Sequence, residues 1–245
     1  VALVAGCTAA PPPEIPGAAA LRGFLIDIPL PPYEMRGAIT AAIHGRTESG
    51  EVYLRSGPGD AHLFQLRARI SGSLAVEARF DARQLLVLDF VNEAYFRGPN
   101  LPETRREQFL MDLSPEEFRI IVTGRLERSV FDARGGRSAA PLQASFEAGE
   151  DRYVFTLDES GLPREWVKFR GAAQQFRVEY RSYKDVALDA GAPVRMPERV
   201  RVYGEEEPPR IVLGVREFTL LDSVPPLGFD LPPDAAARFR RLPPP

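Results

Sequence analysis

The residue types that carry most enzymatic and metal chemistry are scarce in this chain, and their spacing does not suit that chemistry. The two histidines, His44 and His62, each stand alone in a strand-like run without Cys, a second His or paired carboxylates at ligand spacing, so a solvated or capping role describes them better than a metal site. No GxSxG elbow occurs, and in Ser56-Gly57-Pro58-Gly59 the proline removes an amide that a phosphate cradle would use. Glu116-Glu117 reads as helix capping and dipole stabilisation, and Glu205-Glu206-Glu207 as a Pro-flanked turn. Neither matches a glycosidase acid and base, because neighbours on a helix point in different directions. The basic side chains are 29 Arg and only two Lys, Lys168 and Lys184, which argues against a Schiff-base lysine. The residues therefore predict no catalytic constellation, no metal and no cofactor. There remains a single cysteine, Cys7, which excludes an intramolecular disulfide or a thiolate cluster. It is either a passive thiol or a place where something is attached.

Its neighbourhood decides between these. The chain opens Val1-Ala2-Leu3-Val4-Ala5-Gly6-Cys7, an apolar run closing on small residues, as a signal peptide does at its cleavage site. Leu3-Val4-Ala5-Gly6-Cys7 resembles the bacterial lipobox, which implies a diacylglycerol on the Cys7 thiol, palmitate-type acyl chains, Cys7 as the mature N-terminus, and residues 1–7 as a signal-peptide remnant. The competing reading, a buried edge strand with Cys7 as a small hydrophobe, fits the next residues poorly. Residues 8–20 contain Pro11, Pro12, Pro13, Pro16 and Gly17, a composition that favours an extended tether over a sheet ladder. Acyl chains contribute about 0.8 kcal/mol per buried methylene, so such a terminus can hold a domain on a membrane without a transmembrane helix. Thr8 stands where an Asp marks inner-membrane retention in enteric lipoproteins, and by that resemblance the outer membrane is expected.

The rest of the chain, 21–245, is expected to form a single domain. Its composition, 44% hydrophobic and 27% charged over 245 residues, is that of a globule able to bury a sizeable core, and no run is long enough to span a bilayer. The balance of 31 basic against 34 acidic groups lacks the footprint of nucleic-acid binding. Beyond the tether the dominant period is two. Phe64, Leu66, Ala68 and Ile70 alternate with Gln65, Arg67 and Arg69, and Leu74, Val76, Ala78 and Phe80 alternate with Glu77 and Arg79, a hairpin around Ser71-Gly72-Ser73. Similar patterns recur at Ile39 to Ile43, Tyr153 to Leu157, Phe176 to Tyr180, Val200 to Val202 and Ile211 to Val215, with turns expected at Glu48-Ser49-Gly50 and a long loop over 187–197. Roughly ten strands joined by short connections predict an antiparallel meander with one apolar face. Two helices are predicted mid-chain, over 102–110 and 114–122. The second has Ser114 as N-cap, Pro115 at the first helical position, Glu117 to complete a capping box, and Gly124 as stop. Phe118, Ile121 and Val122 share one of its faces, which suits a lid over a sheet. A short helix near Asp234 to Arg241 ends a Pro-rich strap.

The order of these segments resembles the LolA/LolB-like superfamily of lipoprotein localisation factors and, within it, the outer-membrane lipoprotein LolB. The matching stretches are Arg36-Gly37-Ala38 with Val52-Tyr53-Leu54-Arg55 as a first hairpin, Leu113 to Gly124 as the lid helix, Leu162-Pro163 with Trp166-Val167-Lys168, Phe176 to Tyr180, Met196 to Val200, and Ile211-Val212-Leu213. The resemblance implies a mainly β fold, an incomplete antiparallel barrel covered by the helical lid. It also implies a monomer without catalytic activity, facing the periplasm, that takes acylated lipoproteins from a LolA-like periplasmic carrier and helps insert them into the outer membrane. Acyl chains would be held by non-directional apolar burial, with Leu66, Ala68, Leu74, Val76, Leu88, Phe90, Phe118, Ile121, Trp166, Phe176, Val178, Leu213 and Val215 as candidate lining, and plain core packing as the alternative for each. Ile70 is the nearest match to the family's membrane-inserting loop residue. Two features depart from the pattern: Pro29, Pro31 and Pro32 forbid a continuous initial helix over 24–35, and the Pro-rich tail resembles LolA more than LolB. An anchored accessory subunit of an envelope complex and a carrier of a free lipid or glycolipid are the competing functions.

Overall fold

The computed structural model describes residues 25–26, 31–43, 46–57, 64–109, 111–127, 137–140, 143–188, 191–204, 208–223 and 228–243. Cys7, the tether, His44 and His62 lie outside the described residues. The elements in chain order are β1 (Leu25–Ile26), β2 (Tyr33–Ile43), β3 (Arg46–Ser56), β4 (Phe64–Ile70), β5 (Ser73–Phe80), β6 (Gln84–Asp89), β7 (Ala94–Pro99), α1 (Pro102–Phe109), α2 (Pro115–Thr123), β8 (Leu126–Glu127), β9 (Arg137–Ala140), β10 (Gln143–Ala148), β11 (Asp151–Leu157), β12 (Pro163–Arg170), β13 (Ala173–Leu188), β14 (Gly191–Tyr203), β15 (Ile211–Leu220), α3 (Pro233–Arg238) and β16 (Arg240–Arg241).

Among the described residues fourteen strands form one open sheet in the order β16-β7-β6-β5-β4-β3-β2-β15-β14-β13-β12-β11-β10-β9, more than the roughly ten that periodicity predicts. Two meanders, β2 to β7 and β9 to β15, meet at the antiparallel pair β15 and β2. Among the described strands only β16 joins this sheet in parallel, on β7; β1 and β8 form a separate two-stranded parallel pair. Strands β5 and β11 are eight steps apart in this order, about 38 Å on a flat sheet at about 4.8 Å per step. Yet both touch α2: Phe80 of β5 meets Phe118 at 5.3 Å, and Tyr153 of β11 donates to Glu117 at 2.7 Å. A nine-residue helix is only about 14 Å long, so the sheet must curl around it. The expected half-barrel under a mid-chain lid is the architecture observed.

Several local expectations need correction. Glu48-Ser49-Gly50 is not a turn: these residues lie in β3, paired with Ala41, Thr40 and Ile39. Glycine at position 50 serves close approach instead, since a Cβ there would stand 1.8 Å from the Arg69 carbonyl oxygen; strand glycines often mark such contacts. The long loop expected over 187–197 is mostly strand, because β13 and β14 pair as far as Leu188 and Gly191. Pro197 fits there because β14 meets β15 only from Arg199 to Val202, leaving the earlier part of β14 an edge where a missing N–H is tolerated. The β4–β5 turn falls where predicted, with Ser71 and Gly72 at φ 51° and 80°, the left-handed pair of a two-residue hairpin.

Alternate residues of the strands face the lid in one core that includes Met35, Leu54, Phe64, Leu85, Phe96, Phe155, Trp166, Phe176 and Val200. Strand β6 is buried on both faces: Leu85 and Val87 join this core, while Leu86 and Leu88 lie under the C-terminal strap with Phe229, Leu231, Ala235 and Phe239. The strap is pinned by Arg79, which donates to the Gly228 carbonyl at 2.8 Å, and by amides of Arg240 and Leu242 on the carbonyls of Glu93 and Tyr95. It therefore covers what would otherwise be an apolar outer patch and part of an open edge.

Candidate functional site

The inner face and the helix above it bring together most of the residues expected to line a cavity. Trp166, Phe176 and Val178 are fully buried there, and Ile121, Leu213 and Val215 are buried beside them. Leu66, Val76 and Phe118 are half-buried against the same core. Phe118 inserts edge-on toward Phe64 and Phe80, each at 5.3 Å between ring centres, and Phe109 of α1 adds a tilted contact on Phe80 at 6.0 Å. Ala68 follows on the same face, paired with Val52 and Val76. Ile70 ends that row half-buried, paired with Gly50 and Ser73, so it belongs to the rim of the sheet and not to the exposed hairpin tip.

Three of the candidates lie elsewhere. Leu88 and Phe90 are on the outer face beneath the strap. A run of four consecutive buried residues, Leu85 to Leu88, has no alternation from which to read a face, and the strap gives the outer residues their own apolar cover. Leu74 is displaced by an irregularity between Ala68 and Arg69, so it pairs with Arg69 and joins neither apolar cluster among the described residues. One extra residue in a strand is enough to move every later side chain to the other face.

The lid is fastened at both ends by polar contacts. At its start Ser114 and Glu117 form the expected capping box, with the Ser114 amide donating to Glu117 Oε2 at 2.7 Å and the Glu117 amide to Ser114 Oγ at 3.2 Å. The other carboxylate oxygen of Glu117 receives the Tyr153 hydroxyl at 2.7 Å and faces Lys168 Nζ at 2.7 Å. Lys168 is only 3% exposed; it also pairs with Asp151 at 3.1 Å and lies over the rings of Tyr153 and Phe176 at 5.9 and 5.7 Å. Arg170 continues the chain of charges to Asp151 at 2.8 Å and Asp112 at 3.5 Å, and Arg105 from α1 reaches Asp112 at 2.6 Å. The negative charges of Glu117, Asp151 and Asp112 are thus matched by Lys168, Arg170 and Arg105, which makes the burial of so many ions tolerable. Burial, together with the neighbouring Glu117 carboxylate, pushes the Tyr153 phenol well above its ordinary range, so it stays protonated and donating.

At the far end Gly124, at φ 61°, closes the helix with its amide on the Ile120 carbonyl at 2.8 Å. The Tyr180 hydroxyl donates to the same carbonyl at 2.8 Å and accepts from Trp166 Nε1 at 3.1 Å. A depression of about 380 Å³ lies beside this hook, lined by Pro163, Tyr180 and Tyr183 together with the charged Asp158, Arg164, Glu165, Glu179 and Arg181. Among the described residues no three side chains of the metal-binding types cluster, and no helix is long and apolar enough to cross a membrane.

No protein-family model and no curated protein sequence matches the chain. Solved structures do. A domain from Vibrio parahaemolyticus described as an outer membrane lipoprotein-sorting protein domain superposes with a TM-score of 0.56 at 8% identity, covering 85% of this chain and 92% of the other. The chain shares the fold of that domain. A LolA superfamily protein from Nitrosomonas europaea gives 0.51 at 13% identity over 86% and 96% of the two chains, and a DUF1329 family protein from Desulfovibrio piger gives 0.54 at 11% identity over 86% and 93%. At such identities the likeness concerns the fold, and the LolA-like half-barrel is common to chains whose side chains are almost wholly different. In this chain the lid is fastened to that fold by the Lys168 network. From sequence Glu117 is a helix cap, and Lys168 is an unlikely Schiff base within the Trp166-Val167-Lys168 stretch. The available signal was parity, since Lys168 shares the face of Trp166 in β12 and an inward lysine requires an inward carboxylate.

Proposed function

We propose that this protein binds the acyl chains of lipoproteins, or of a lipid of the same chemistry, between its inner face and the lid, and helps pass them to the outer membrane. In this reading it is anchored through an acylated Cys7, faces the periplasm, and receives cargo from a LolA-like carrier in the manner of LolB. The observation that carries the reading is an apolar face under a lid whose polar fastenings sit at its two ends. Phe118 in its middle and Phe109 of the neighbouring α1 make contacts that an acyl chain could replace with burial of like chemistry, at about 25 cal/mol per Å².

A second reading, an anchored accessory subunit of an envelope complex, is favoured by the interior as it stands, for Trp166, Phe155 and Phe64 have no exposure and the space is filled by the protein's own side chains. The chain's single tryptophan, Trp166, separates the two. Fatty acid brominated along its chain is expected to quench Trp166 emission saturably, because bromine quenches by contact; unchanged emission at saturating fatty acid would favour the accessory role. The anchor has its own test. A Cys7→Ser chain is expected to move from the membrane fraction to the soluble periplasmic fraction, and its continued sedimentation with membranes would argue against acylation at Cys7.

A further inference from the structure

The outer face carries a second feature, independent of the acyl-binding reading. Between the strap and the β6–β7 edge runs an open groove of about 670 Å³, and Arg83, Arg97 and Arg241 converge on it together with Gln84, Tyr95 and Leu231. Elsewhere on the sheet arginines repeatedly stand beside carboxylates: Arg55 on Glu34, Arg67 and Arg79 on Glu77, Arg181 on Glu179, Arg216 on Glu51. At the groove this pattern stops. Among the described residues no carboxylate pairs with the guanidinium of Arg83 or Arg241, and Arg97 has only Asp230 at 3.8 Å, whose side chain is 95% exposed. The chain as a whole carries a net charge of −3, so a local excess of positive charge is a property of this place.

The backbone that carries the three arginines is fixed. The Asp81 carboxylate receives the amides of Arg83 and Gln84 at 2.7 Å each, Arg97 is paired across β6 with Leu86, and Arg241 is held in β16 opposite Tyr95. Leu231 is seated on the outer cluster of Leu86 and Leu88. Guanidinium forks match phosphate oxygens in pairs, and the Tyr95 ring and Leu231 give the same groove an apolar wall. An inorganic anion would need only the former; an amphiphile uses both. We propose that this groove binds the phosphate headgroup of an anionic phospholipid and so lays the strap side of the sheet against a membrane surface.

The test uses the full unacylated chain and vesicles of phosphatidylcholine alone or mixed equally with phosphatidylglycerol. The chain is expected to float with the mixed vesicles and not with the neutral ones. Arg83→Gln, Arg97→Gln and Arg241→Gln combined should weaken that binding roughly a hundredfold, at about fivefold for each arginine near an anionic surface. Removing three arginines outside the groove, Arg69, Arg199 and Arg201, should weaken it far less. Equal losses in the two triple variants, or equal binding to both vesicles, would overturn the site. Inorganic phosphate is expected to release the vesicles in competition. Arginine-dependent binding of phosphate without vesicle binding would overturn the lipid assignment. Quenching of Trp166 by brominated fatty acid should be unchanged in the groove variant, so this proposal and the acyl-binding reading can fail separately.

Discussion

Lys168→Ala is expected to lower the unfolding free energy by about 3–5 kcal/mol, the usual consequence of removing one partner from a buried ion pair. The size follows from what remains. Glu117 is 2% exposed and would keep the Tyr153 hydroxyl and the Ser114 amide but no cation, while Asp151 would retain Arg170. A domain of this length loses about 2–4 °C in Tm per kcal/mol, so calorimetry should show a fall of roughly 10 °C, and denaturant unfolding should give the free energy directly. Lys168→Met combined with Glu117→Gln should be less harmful than the sum of the single changes, because glutamine keeps the capping box and leaves no unpaired charge. Strict additivity, or a loss below about 1 kcal/mol for Lys168→Ala, would show that the network is solvated and does not fasten the lid.

The same network sets a pH dependence. Burial alone would raise the Asp151 carboxyl, but hydrogen bonds from Arg170 and Lys168 outweigh it and hold the group below its ordinary range. Its folded value is therefore below the unfolded value of about 3.9. The associated stabilisation is complete above that value and disappears as the pH falls through the depressed folded one. In Lys168→Ala one of the two donors is gone, so the acid side of the stability profile should be shallower than in the parent chain.

The parts of this molecule legible from sequence are those governed by local rules. The Ser114-Pro115-Glu116-Glu117 start and the Gly124 stop define α2 within a residue, and Ser71-Gly72 defines the β4–β5 hairpin, because capping and turn chemistry act over a few residues. Alternation also placed Phe176, Val178 and Leu213 on the inner face, whereas Trp166 came from the family resemblance. It failed where a second layer intrudes. Leu88 and Phe90 belong with Phe239 and Ala235, about 150 residues away along a chain whose tertiary contacts local period cannot express. Gly50 misled in a related way: a glycine beside Glu48 and Ser49 has turn composition, and only the neighbouring strand's Arg69 carbonyl reveals the close approach that glycine serves. The lid network was the least legible feature, since Asp112, Glu117, Asp151 and Lys168 come from separate elements and none forms a motif with another.

Trp166→Ala should be about as damaging as the loss of Lys168, about 3–5 kcal/mol, for a different reason. The indole has no exposure; it stacks on Phe155 at 5.5 Å, meets Phe176 edge-on at 5.0 Å, and donates to the Tyr180 hydroxyl that hooks the lid at Ile120. Alanine would leave a large void and release one end of the hook's hydrogen-bond chain. Trp166→Phe keeps most of the ring contact and removes only the N–H donor, so it should lose about 1 kcal/mol. The alanine variant also bears on function. If the space between sheet and lid admits acyl chains, a fatty acid should fill the void and recover part of the loss by mass action, about 2.7 kcal/mol at a hundred times its Kd. The parent chain must first displace its own side chains, so it should gain less at the same concentration. Equal shifts in the two chains would mean that the ligand binds elsewhere, and no shift in Trp166→Ala would mean that the void is closed to acyl chains.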